Sequence, residues 1–291
     1  MAVLLALAAA AAYGVSDFVG GIAARRSTAW PVALMSGVGA LVGSLVLALG
    51  VSGEPTGADL GWGVLAGVGS GAGTGFLYRG FASGRMGVVA PVSAVGAALL
   101  PVAVGVITGE RPALLVWVGI ACALPGIWLV AREPETLDAG ADTAVAAGTT
   151  APLDSVRRSL VDGLLAGAGF GLLFVALGQV PEEAGYWPLA TAQVVSMLTV
   201  VAMASAFGVV WRPTERSQLW GVAAGLLASL AVLCFLLASQ SDLLTVAAVL
   251  TSLYPAITVV LATVLLKELV HRSQMVGLVL CGVAVAMVAA G

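Results

Sequence analysis

The run Trp62-Gly63-Val64, followed by Gly67, returns 158 positions later as Trp220-Gly221-Val222 followed by Gly225. Glu110 returns as Glu268 and Gly119 as Gly277 in the same register. Upstream the register is one residue shorter, so that Trp30-Pro31 meets Trp187-Pro188 and Tyr13-Gly14 meets Phe170-Gly171. A single insertion near the second or third segment reconciles the two registers. Aromatic, Gly, Pro and Glu markers that agree in order along most of both halves are the signature of an internal duplication.

The 291 residues are 60% hydrophobic and 9% charged, with a mean hydropathy of +1.08. A soluble domain carries roughly 25% charged residues, so this composition cannot cover a water-facing surface. In a bilayer each span needs about 20 apolar residues. Breaks at charges, Pro and Gly divide the chain into ten such segments, at residues 2–24, 31–51, 60–82, 87–108, 113–131, 160–178, 187–210, 219–239, 243–266 and 274–290. All are expected to be helices, because backbone groups in lipid must pair within their own segment and no barrel-like alternation is present. The predicted fold is therefore an all-α integral membrane protein, with five helices in residues 1–131, a flexible linker at 132–159 and five helices in 160–291.

Five is odd, so the second copy enters the membrane in the opposite sense to the first. Inverted repeats are one basis of alternating access around a site near the midplane, which points to transport of a solute. Of the 12 Lys and Arg residues, only Arg111 falls in an even-numbered loop. The positive-inside rule then places the odd loops and the linker in the cytoplasm and both termini outside the cytoplasmic membrane.

Within the spans, the glycine run Gly67–Gly75 suits close helix approach, and Pro91, Pro101, Pro125 and Pro255 mark expected kinks. Cys122, Cys234 and Cys281 lie in apolar runs without metal-ligand spacing and read as small buried hydrophobes. The only histidine is His271, in a predicted loop, so a zinc site or a Ser-His pair at depth is not expected. No P-loop, cofactor motif or basic stripe for nucleic acid is present. An enzyme is not expected; a channel or a non-transporting scaffold is the alternative to a carrier.

The motifs Tyr13-Gly14-Val15-Ser16-Asp17-Phe18, Trp62-Gly63-Val64 with Gly67, and Leu253-Tyr254-Pro255 through Lys267-Glu268 to Gly277 resemble the EamA-type proteins of the drug/metabolite transporter superfamily. The resemblance covers nearly the whole chain apart from the linker. It implies ten helices in two five-helix inverted repeats and export or exchange of small metabolites, amino acids or drugs. One departure is that Ala97 stands where the second copy has Pro255.

Asp17 is the most informative single residue, since a carboxylate within a span is costly and is by default a functional candidate. Its repeat partner is Phe174, so duplication does not require it. Two roles are open, substrate or proton handling at Asp17, or pairing with Arg79 as a helix staple. Arg79 follows Tyr78, and Leu237 occupies its position in the second copy. It suits recognition of a carboxylate or phosphate, or snorkelling to the interface. Glu110 and Glu268 lie before the last span of each copy, where a negative charge suits a helix start; gating is their other candidate role. A cavity between the halves can draw on Tyr13, Ser16, Tyr78, Gln193, Ser196, Thr251, Ser252 and Tyr254, an aromatic and hydroxyl set suited to a small solute. Trp30 and Trp187, each beside a span start and followed by Pro, fit an interfacial belt. The expected partners are a small molecule, the lipid bilayer and, as a candidate coupling ion, the proton.

Overall fold

In a computed structural model of the chain, residues 1–25, 27–82, 86–131, 153–241, 243–266 and 271–290 are described, and among them there is no strand. The first half contains α1 (Ala2–Arg25), α2 (Ala29–Gly50), α3 (Gly57–Ala82), α4 (Met86–Thr108) and α5 (Leu114–Ala131). The second contains α6 (Leu153–Leu177), α7 (Trp187–Ala206), α8 (Trp220–Ser241), α9 (Leu244–Thr251), α10 (Tyr254–Leu266) and α11 (Arg272–Ala290). Among the described residues, six stretches, one of them Leu244–Leu265 across the α9–α10 break, are long and apolar enough to cross a membrane, and Val92–Thr108, Leu114–Val130 and Arg272–Val288 are shorter apolar helices. The protein is a multi-pass membrane protein. Leu4, Val46, Leu114, Leu164, Leu198 and Val264 are each more than half exposed, the outward apolar surface that lipid accepts and water does not.

The helices meet across the halves more than within them. α1 packs on α8 and α3 on α6; α2 packs on α8 and α3 on α7; α1 packs on α9 and α10, and α4 on α6. Exchanging the halves turns each of these pairings into its counterpart, while α2 with α7 and α5 with α11 map onto themselves. Glycine makes the closest approaches. A Cβ on Gly67 would lie 2.5 Å from the Ala192 carbonyl oxygen, and one on the repeat-related Gly225 would collide with the Ser36 carbonyl. Backbone thus meets backbone at α3–α7 and at α2–α8, the small-residue packing that replaces a hydrophobic driving force between helices in lipid.

The ninth span differs from its expected form. It is two helices, broken at Ser252-Leu253 just before Pro255. Proline supplies no N–H, so the Thr251 carbonyl four residues before Pro255 has no helical partner there, and the first helix ends at Thr251. α4 continues through Pro91 and Pro101, and α5 through Pro125. α6 starts at Leu153, inside the stretch expected to be linker; residues 132–152 lie outside the described residues, as does Glu268.

Candidate functional site

Tyr13 and Asp17 are four residues apart on α1 and therefore share a face. That face borders a cavity of about 180 Å³ between the two halves. From the first half, Tyr13, Ser16 and Asp17 of α1, Ser36 of α2 and Ser70 and Thr74 of α3 reach it. The second half contributes Phe170 and Phe174 of α6, Gln193, Ser196 and Met197 of α7, and Tyr254 at the start of α10. Hydroxyls and an amide are thus set among aromatic rings, with one carboxylate.

The carboxylate stands apart. Asp17 has an exposed side chain, and among the described residues it makes no hydrogen bond or ion pair. Tyr13 stands one turn before it on α1, and Tyr254 borders the same cavity. The two phenols lie 6.0 Å apart, and Tyr13 also meets Phe174 edge-on at 6.4 Å. Phe174 in turn packs 4.6 Å from Phe235. The duplicated positions 17 and 174 have therefore diverged in role: one half presents an unpaired carboxylate, the other a phenyl ring 4% exposed.

Pairing of Asp17 with Arg79 does not occur. Arg79 bonds Asp162 of α6 instead, its Nε donating to Oδ1 at 2.9 Å and a second guanidinium nitrogen donating to the same oxygen. Its guanidinium also lies 4.8 Å from the Phe76 ring centre and 4.9 Å from that of Phe207. Asp162 is an acid that the sequence reading passes over because it falls at the start of the expected sixth span, 160–178, whereas the helix begins earlier, at Leu153, and carries it inward. The signal was available: Asp162 sits within an otherwise apolar helical run, next to Gly163.

Glu110 does not serve the helix that follows it. Its Oε1 accepts from the N–H of Leu244 at 2.7 Å and its Oε2 from the N–H of Thr245 at 3.1 Å, so it caps α9 from the other half of the chain. A carboxylate there satisfies two of the four free amides of the first turn and suits its positive end.

The remaining expected residues divide clearly. Ser16 lines the cavity but donates to the Ala224 carbonyl at 2.8 Å, stitching α1 to α8. Ser196 donates to Ser70 Oγ at 3.2 Å, joining α7 to α3 across the cavity wall. Gln193 lines the cavity while 9% exposed. Thr251 and Ser252 do not reach it; both are fully buried at the break in the ninth span, where Thr251 bonds the Ala6 carbonyl at 3.5 Å. The side chain of Tyr78 lies outside the described residues. Trp30 is no belt residue, being 8% exposed with its ring edge-on to Phe207 at 6.2 Å, whereas Trp187 is 37% exposed.

The model of the EamA-like transporter family matches residues 1–132 and 159–290. The chain belongs to that family. The motifs noted above thus lie in a transporter family rather than an enzyme family, and its model matches the chain in two separate segments. No curated protein matches the sequence. A solved structure titled only as the crystal structure of a protein has 16% identity and a TM-score of 0.71, covering 99% of this chain and 96% of its own. At that identity the likeness concerns the fold alone.

Proposed function

We propose that this EamA-family protein is a secondary carrier that exports a small metabolite or drug-like solute across the cytoplasmic membrane by alternating access. Ten spans in two oppositely oriented sets of five, residues 1–131 and 160–291, form the moving parts, with both termini outside. The observation that carries the reading is the cavity, which is walled by helices of both halves whose pairing pattern is unchanged when the halves are exchanged. Two similar bodies around one cavity have two equivalent ways to pack, and that is the bistable element alternating access requires. Asp17 and the aromatic wall are its substrate-facing residues. Glu110 is its candidate tether, because one side chain of the first half holds the first turn of α9.

Counterflow in proteoliposomes tests this. Vesicles are loaded in turn with unlabelled amino acids, nucleosides, sugars or cationic drugs and offered the same compound labelled outside. A carrier gives saturable uptake stimulated by the solute on the far side. Flux that rises linearly with concentration and ignores the far side indicates a pore and refutes the proposal.

A further inference from the structure

The geometry points to a substrate class for this cavity, a monovalent amine or quaternary ammonium carried on an apolar body. The inference rests on the carrier reading for its physiological meaning. Among the described residues that line the cavity, Asp17 is the only charged one. Its side chain is exposed to that space and unpaired, so a charge of opposite sign is wanted from outside the protein. Arg79, on the cavity helix α3, is committed to Asp162 and lies against the Phe76 and Phe207 rings, and it does not border the cavity.

Aromatic faces complete the recognition. Tyr13, Tyr254, Phe170 and Phe174 surround the space beside Asp17, and ring faces attract ammonium groups while receiving an apolar body equally well. An anion would meet an unopposed carboxylate there. A zwitterion would satisfy Asp17 but leave its own carboxylate to the hydroxyls of Ser36, Ser70 and Thr74 alone. A dication would find only one counter-charge, since the repeat-related position is Phe174.

Four compounds of nearly one shape separate these cases. Full-length protein in nanodiscs is titrated with phenethylamine, 2-phenylethanol, phenylacetate and phenylalanine, and binding is read by calorimetry. Phenethylamine should bind tightest. Asp17→Asn should weaken it about tenfold, the loss of one charge-assisted contact, leave 2-phenylethanol within about twofold, and be rescued by Asp17→Glu. The proposal falls if the alcohol, the acid or the amino acid binds as tightly as the amine, if Asp17→Asn binds the amine unchanged, or if none of the four binds. The ranking on the unmutated protein needs no variant to fold. Counterflow distinguishes the two readings: exchange of a neutral or acidic solute with amines inert overturns the substrate class and keeps the carrier, whereas amine binding at Asp17 without exchange of any solute keeps the site and overturns the carrier.

Discussion

Replacing Arg79 and Asp162 by leucine, singly and together, tests how an ion pair contributes within a helix bundle of this kind. The choice of leucine comes from the chain itself, because the repeat-related positions are Leu237 and Leu5. Asp162 has a side chain 7% exposed, while Arg79 is 38% exposed. The pair therefore lies between the exposed case, worth about 0–1 kcal/mol, and the buried case, where removing one partner costs about 3–5 kcal/mol. Arg79→Leu strands a buried carboxylate and also removes the contacts to Phe76 and Phe207; after discounting for solvent at the guanidinium, a loss of about 2 kcal/mol is expected. Asp162→Leu leaves an arginine that still reaches solvent and its two rings, so the expected loss is about 1 kcal/mol. The double variant has no stranded charge and carries the residues of the repeat-related positions, Leu237 and Leu5, so it should fall within about 1 kcal/mol of the parent. Reversible unfolding in mixed micelles on titration with sodium dodecyl sulfate, followed by tryptophan fluorescence, gives the four free energies and their coupling. If the double variant loses the sum of the two single losses, the residues do not act as a pair and the reasoning fails.

Three further outcomes are expected. Gly67→Ala should destabilise by about 1–3 kcal/mol because its methyl meets α7 backbone, whereas Gly61→Ala on the same helix, with nothing within 4 Å, should be neutral or stabilising by up to about 1 kcal/mol; equal thermal midpoints for the two would contradict the packing. Glu110→Ala should cost about 1–2 kcal/mol through the lost cap on α9, with Glu110→Gln intermediate, and faster amide exchange at Leu244 and Thr245 would locate the effect; unchanged exchange there would count against it. A C-terminal reporter active only in the cytoplasm should be silent, and activity would reverse the proposed orientation.

Much of the helical layout was legible because the spacing of apolar runs between charges is a one-dimensional property. Segment ends such as Ala2, Ala82, Thr108 and Trp187 fall within a residue or two of expectation, since each change from apolar to polar sequence marks where lipid ends. The break in the ninth span was visible only as Pro255; Pro91, Pro101 and Pro125 look alike in sequence, yet their helices continue. The site was partly legible. Asp17 stood out because an acid within a span is costly wherever it faces, and Tyr13, Ser16, Gln193, Ser196 and Tyr254 do reach the cavity. Thr251 and Ser252 have the same chemistry but turn into packed protein.

The sequence by itself determined the membrane class, the duplication and the exchange of Asp17 for Phe174, because composition and repetition need no knowledge of which helix touches which. Only the tertiary structure decided partnership: Arg79 with Asp162 rather than Asp17, and Glu110 with the first turn of α9 rather than α5. Those partners lie 83 and 134 residues apart. Almost every major contact joins one half to the other, so a residue's neighbours are set by how the two copies dock, and that is not carried by the pattern within either copy.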